Sequence, residues 1–489
     1  MRHISKIKSK TTNSSTFSQI IKGATILTLV ISFLLSPDIP VSAQISAEEV
    51  QNLTFISYLP ITMGGEAAYY VSPEGDDNNP GSFRLPWRTI SKVTDMVEPG
   101  DTVYIRSGVY LESVDFTTSG TSNAPIRILA YPGETPVIDG DNFNIPGEWG
   151  VLLGISGDYI QVSGFEVRYS RGLGVIIRGS HDIADKIYSH HNRENGILIS
   201  RGHNSIVENS LVWRNALSNE YGQGDIWASG LTAARSGVSY ATIRHNTVWE
   251  NWGEGISSYE ADHIVIEDNI THDNFTANIY LSDSTNVLCQ RNFVYTNPAS
   301  YMFPYGGNNG IMMGDEVYNP PSANITVINN ISFGNHVNFW WWQGVQGGGM
   351  NNVLIANNTF VNGIGDPNHG EGNVIISGGD HQNVRFENNL VQQDGEFPVI
   401  ATIANPGVTY THNLWSKTPY PAASGPGDII GNPLLKHVGN PYVPKWFQLT
   451  SVSPAIDAAI ALPEVYVDYF GIGREAPPDM GANEFFPTP

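Results

Sequence analysis

An asparagine returns at one place in a repeating phrase of this chain, at Asn209, Asn246, Asn269, Asn292, Asn330, Asn358, Asn389 and Asn413. An alternating apolar stretch precedes it, as in "ATIRHN" (241 to 246), "IVIEDN" (264 to 269) and "VRFENN" (384 to 389), so each unit reads as a strand followed by a turn. Asn tolerates left-handed backbone and bonds neighbouring backbone groups through its amide, which gives one Asn per sharp corner a mechanical reason. Stacked corners then make an amide ladder. The intervals are 37, 23, 23, 38, 28, 31 and 24 residues, a base period near 23 with insertions. A strand-rich unit of that length without long amphipathic helices marks a solenoid. Ile, Val, Asn and Gly in place of a leucine-dense consensus make it an all-β, single-stranded parallel β-helix rather than a leucine-rich repeat.

The first residues carry Arg2, Lys6, Lys8, Lys10 and Lys22, then the apolar run "GATILTLVISFLL" (23 to 35) and "VSA" ending at Ala43. That order predicts a secretory signal peptide over 1 to 43, with the run short for a membrane anchor. The expected address is secreted or cell surface. The whole chain has a formal charge of −22; removing 1 to 43 takes away five basic residues and one acidic, leaving −26. A chain so acidic repels a nucleic-acid backbone, and no membrane contact is expected after cleavage. The lone Cys289 sits at an apolar strand position in "NVLCQRN" and reads as a buried thiol. A monomer stabilised by stacking is expected.

Residues 44 to 67 have no sustained period and read as a linker. "AYYVSP" (68 to 73) is a strand, and Ile90, Val93 and Val97 fall on one helical face closed by Pro99 and Gly100. A short helix there caps the open end of the solenoid, within an N-terminal cap and first rungs spanning 68 to 158. The regular β-helix spans 159 to 415, and 416 to 489 is a C-terminal cap. The opening "YYVSPEGDDNNPGSFRLPWRTISKVTDMVEPGDTVYIRSGVYLESV" (69 to 114), the Asn-cornered rungs and the ending "SPAIDA" with "DMGANEF" resemble secreted bacterial right-handed parallel β-helix proteins of the pectate-lyase-like superfamily. The resemblance implies a right-handed coil and a polysaccharide partner. It leaves the chemistry open, because that superfamily holds lyases, hydrolases, epimerases and non-catalytic surface proteins.

Each rung carries a second strand that starts with Gly or Asn, such as "GLTAAR" (230 to 235), "GISSYE" (255 to 260), "NIYLSD" (278 to 283), "GIMMGD" (310 to 315) and "NFWWWQ" (338 to 343). Alternation turns the first and third following residues inward and the second and fourth outward. The closing positions then form a polar column: Arg201, Arg235, Glu260, Asp283, Asp315 and Gln343. Tyr259, Tyr280, Trp340 and Trp342 stand outward beside it, with Trp227 and Glu254 on the approach. Aromatic faces beside fixed charges suit a sugar.

At a rung spacing of about 4.8 Å, Glu260, Asp283 and Asp315 crowd three carboxylates, which a hard divalent cation such as Ca²⁺ explains. In lyases of the resembled fold, Ca²⁺ neutralises a uronate carboxylate while Lys or Arg removes the C5 proton. Lysine is absent between Lys186 and Lys417, so Arg235 is the candidate base, with Arg201 in support. The expected catalytic residues are Arg235, Glu260, Asp283 and Asp315, the expected metal ligands the same three carboxylates. Arg201, Trp227, Glu254, Tyr259, Tyr280, Trp340 and Trp342 are expected to bind substrate. The leading expectation is a polysaccharide lyase acting on a uronate-containing glycan. Paired carboxylates on neighbouring rungs equally suit a glycoside hydrolase, and a column of strand-end charges also fits a non-catalytic glycan-binding solenoid.

Overall fold

Short β-branched strands recur three to a rung, and each pairs in register with its equivalent one turn later. Val175–Ile177, Ile183–Asp185 and Tyr188–His190 make one rung, and Ile197–Ile199 starts the next by pairing Val175 with Ile197 and Ile177 with Ile199. The result is three parallel sheets of 13, 13 and 11 strands, a right-handed β-helix as expected. In the computed structural model the described residues are 68–487, apart from 144, 146–149, 225, 236, 318–320 and 366–370. The signal peptide and linker expected over 1 to 67 lie outside the described residues. No helix among the described residues is long and apolar enough to cross a membrane.

The inward columns are apolar and dry. Ile256, Ile279, Ile311, Phe339 and Val374 follow one another at 0 % exposure along the 11-stranded sheet, so the alternation read from sequence holds there. Each such side chain contributes about 1.5–3 kcal/mol by leaving water. The capping helix forms at Ser91–Met96, packed through Val93, and its first N–H groups donate to the Glu112 carboxylate at 3.0 and 2.8 Å. Residues beyond Trp415 add one two-residue strand, Ile429–Ile430. The chain then packs Phe447 against Phe293 and Phe333, and Leu462 and Val465 against Ile328 and Leu354.

The asparagine corners differ from the expectation in an instructive way. The left-handed position is the residue before the asparagine: His245, Asp268, Arg291, Asn329, Asn357, Asn388 and His412 all have φ between 51° and 57°. The repeating asparagines themselves point inward. Asn246 donates to Asn269 at 3.0 Å, Asn269 to Asn292 at 3.0 Å, and Asn292 to Asn330 at 2.9 Å. Asn330, Asn358, Asn389 and Asn413 continue the ladder, which ends on Asp428. Asn209 is outside it: with φ 53° it holds the left-handed corner, and Ser210 takes the ladder place.

A second ladder, unread in the sequence, stacks at the corner leading into the 11-stranded sheet. Asn192, Asn215, Asn251 and Asn274 join side chain to side chain at 2.8, 3.0 and 2.9 Å. It continues through Asn278, Asn335, Asn338 and Asn373. Amides that satisfy one another can be buried without penalty, which is how two polar columns run through a solenoid interior.

Candidate functional site

The outer face of the 11-stranded sheet holds the residues singled out from sequence. Register places Thr232, Ser257, Tyr280, Met312 and Trp340 in one outward column on successive rungs. Its upstream members are short and hydroxylated, its downstream members large. The closing positions keep the expected column, since Ala234 pairs with Tyr259, Tyr259 with Ser282, and Asp315 with Gln343. Arg235, Glu260 and Asp283 each take left-handed backbone there, φ 84°, 50° and 50°.

The column does not deliver three open carboxylates. Asp283 is fully buried, and its carboxylate accepts the N–H groups of Glu316 and Val317 at 3.0 Å and the Ser282 hydroxyl at 2.6 Å. Asp315 is 2 % exposed and accepts Ser322 N–H at 3.0 Å and Gly349 N–H at 2.8 Å. Asp283 holds the start of the loop that follows the next rung's strand, and Asp315 holds Ser322 after its own strand and Gly349 after the following one. These backbone donors compete with a Ca²⁺ ion for the same carboxylates, and with Asp283 and Asp315 buried, Glu260 is the one half-exposed member of the expected set. Among the described residues no three His, Cys, Asp or Glu side chains gather closely enough to hold a metal. Burial pushes the Asp283 carboxyl up, opposed by its hydrogen bonds.

What converges instead lies on Glu254. This residue, 6 % exposed, precedes the strand Ile256–Tyr259 and accepts the Trp227 indole N–H at 2.6 Å and the Ser229 hydroxyl at 3.0 Å. Ser229 meets Ser257 at 2.9 Å, and Ser257 donates to Thr232 at 2.7 Å. A chain of hydroxyls thus runs from a buried carboxyl onto the sheet face. Burial raises the Glu254 carboxyl above the usual range, and the Glu316 carboxylate adds to the rise.

Tyr280, beside Ser257 on the next rung, donates its phenol to Glu316 at 2.7 Å. Burial, reinforced by Glu316 and Glu254, raises that phenol, and burial with the nearby Glu260 pushes Tyr259 up to about 12. Asp283 therefore acts one step back: its carboxylate seats the Glu316 backbone while Tyr280 holds the Glu316 side chain. Gly314 leaves the room, because a Cβ there would stand 2.8 Å from the Tyr280 hydroxyl. Glu316, Ser229 and Thr232 were missed in the sequence. Glu316 opens an insertion next to Asp315, and Ser229 lies before its strand, so neither belongs to a repeating position.

The remaining expected residues surround this centre. Arg201 and Arg235 are exposed at the upstream end, and Arg235 with Arg193 opposes the rise that burial imposes on Glu194. Glu260 and Tyr259 are half-buried. Trp340 is half-buried beside Met312, Trp342 is 38 % exposed, and Trp341 is buried between them as the alternation required.

Comparison with known proteins agrees with this architecture. The family model described as Pel9A-like, right handed beta helix region, matches residues 69–383. Pectate lyase L of Dickeya dadantii is 27 % identical over 376 residues, 73 % of this chain and 76 % of that protein. The crystal structure of pectate lyase Pel9A superimposes with a TM-score of 0.51 at 21 % identity, covering 86 % of this chain and 97 % of that one. The complex of XylC with xylose superimposes with a TM-score of 0.55 at 12 % identity over 86 % of this chain and 98 % of that one, a likeness of fold. The chain belongs to the Pel9A-like right-handed β-helix family.

Proposed function

We propose that this chain is a secreted polysaccharide lyase that cleaves a uronate-containing glycan of the pectate type by β-elimination on the outer face of the 11-stranded sheet. The observation that carries the reading is the buried Glu254 carboxyl, held toward its protonated form and joined through Ser229 and Ser257 to the face where Tyr280 and Glu316 stand. Membership of a family with relatives named pectate lyase supports it.

In the elimination a base takes the C5 proton, that electron pair becomes the C4–C5 double bond, and the C4–O bond breaks as the leaving oxygen gains a proton. Glu316, exposed and braced by Tyr280, is the proton acceptor. Glu254 is the proton source: with the Ser229 and Ser257 hydroxyls rotated to donate outward, Ser257 or Thr232 gives a proton to the leaving oxygen, each hydroxyl regains one from the neighbour behind it, and Glu254 ends as the carboxylate that accepts the Ser229 hydroxyl. Arg235 and Arg201 counter the uronate charge at the upstream end, and a guanidinium that stays protonated fits that part better than the role of base. Glu260 borders the same end, while Trp340 and Trp342 line the downstream end. The test is incubation of the mature protein with polygalacturonate: an ultraviolet-absorbing unsaturated product supports the reading, and its absence with both polygalacturonate and methyl-esterified pectin refutes it.

A glycoside hydrolase is the second reading, favoured by one specific feature. Glu254 is biased toward the acid form and Glu316 interacts with it, which is how an acid and a base are set apart in hydrolases with paired carboxylates. New reducing ends without ultraviolet absorbance would favour it.

A further inference from the structure

Beside this centre, two inserted loops bring together an exposed aromatic surface that neither the repeat nor the closing column contains. Tyr221, from the loop 216–228, and Tyr305, from the loop 297–308, lie 5.3 Å apart between ring centroids. Both rest on Trp252, at 5.0 and 5.7 Å, and Trp252 is 1 % exposed. Trp227 joins the group through Phe275 at 6.3 Å, and Phe275 meets Trp252 at 5.7 Å. Tyr221, Trp227 and Tyr305 are 50, 56 and 49 % exposed, so their rings open to solvent above a buried indole.

The local sequence is built for this convergence. Each tyrosine is followed by a glycine, and both glycines close on Phe275. A Cβ on Gly222 would stand 2.6 Å from the Phe275 ring, and one on Gly306 would collide with the Phe275 carbonyl oxygen. Tyr221 itself is held at φ 61°, an uncommon place for a bulky side chain. Two separate Tyr-Gly pairs therefore deliver two rings to one buried tryptophan.

We infer that Tyr221 and Tyr305, on the Trp252–Phe275 base and continuous with Trp227, form a glycan-stacking subsite for the polysaccharide chain where it leaves the Glu254–Glu316 centre. This rests on the function proposed above. Trp227 carries the continuity, because it touches Phe275 and donates to Glu254. The aromatic residues precede four successive strands of the sheet, and the loops draw neighbouring rings to 5.0–6.3 Å from one another. Flat rings with hydroxyl edges match the C–H face of a pyranose. That recognition is indifferent to the sugar's carboxylate, which matters on a chain of formal charge −22.

The experiment compares the full mature protein with Tyr221→Leu/Tyr305→Leu and Tyr221→Phe/Tyr305→Phe. The Leu pair keeps an apolar seat on Trp252 and loses the flat rings; the Phe pair keeps the rings. Affinity electrophoresis in gels containing polygalacturonate or methyl-esterified pectin, and KM and kcat on polymer and on short oligouronides, are the measurements. Expected is an affinity loss of about tenfold or more for both polymers in the Leu pair, with KM raised on polymer, kcat on oligouronides kept, and the Phe pair near wild type. Unchanged binding by the Leu pair, or no binding of either polymer by wild type, overturns the subsite. Wild type that binds with this aromatic dependence but forms no unsaturated product leaves the subsite standing and removes the lyase reading. A lyase whose Leu pair is unaltered does the reverse.

Discussion

Trp227 donates its indole N–H to Glu254 at 2.6 Å although Trp227 is 56 % exposed and Glu254 only 6 %. An open ring thus bonds directly to a buried carboxyl whose pKa desolvation raises. Glu254→Gln keeps the shape and the partners but removes the titrating proton, so kcat should fall by about 10²-fold or more with little change in thermal midpoint. The raised acid keeps its proton beyond the ordinary glutamate range, so activity that needs the proton declines as pH rises through the folded-state value. Any residual activity of the Gln variant should lack that alkaline limb. A pH profile of kcat on polygalacturonate checks this, and an unaltered limb would remove Glu254 from the chemistry.

Asp182 offers a test of the interior independent of any substrate. It is fully buried, accepts Ile160 N–H through Oδ1 at 2.8 Å, and its Oδ2 has no partner among the described residues. Burial raises its carboxyl from 3.8 to about 8. The unfolded chain ionises near the ordinary value and the folded chain does not. The associated stability is therefore full at low pH, falls by up to about 1.4 kcal/mol per pH unit as pH rises through that window, and is gone above about 8. Asp182→Asn should flatten this slope and stabilise the protein at pH 8 by on the order of 2 kcal/mol, measured by urea unfolding across pH. A variant less stable at every pH would contradict it.

The two kinds of corner asparagine should separate under mutation. Asn292→Ala removes a rung of the ladder and leaves its neighbours' amides unpaired, at a cost of about 1–3 kcal/mol. Asn209→Gly, at the left-handed position, should cost little, because glycine takes φ 53° freely. Chemical denaturation of both variants reads the difference, and equal losses would refute the division of labour.

These corners also show how far the sequence carried. The solenoid, its rung spacing and the inward columns were legible because a buried parallel strand must repeat its alternation on every turn. Asn246 and Asn269 announced a ladder for the same reason. The turn lies one residue before the repeating asparagine, where the repeat does not mark it, because the left-handed residue varies among His, Asp, Arg and Asn while the ladder residue is Asn on every rung from Asn246 to Asn413. The site was legible only in outline. Glu254, Tyr280, Trp340 and Trp342 face the expected side, yet Asp283 and Asp315 turn onto backbone N–H groups of loops whose closure a linear pattern does not contain. Glu316, placed by one of those loops, had no repeat to give it away.

Asp283 should accordingly behave as a positioning residue for Glu316. Asp283→Asn replaces one acceptor oxygen with a donor facing Glu316 and Val317 N–H, and should cost about 1–3 kcal/mol of stability. The loss should be the same with added Ca²⁺ or with chelator, and KM should change less than kcat. A thermal midpoint that drops only when Ca²⁺ is removed would return Asp283 to a metal site.

Elimination on the face between Glu254 and Glu316 is the proposal on which the rest depends. The direct measurement is simultaneous recording of ultraviolet absorbance and reducing ends from polygalacturonate, for wild type, Glu254→Gln and Glu316→Gln. Expected is one unsaturated end per new reducing end for wild type, with both signals lost together in the two folded variants. Reducing ends without unsaturation, or unsaturated product formed undiminished by both variants, would contradict it.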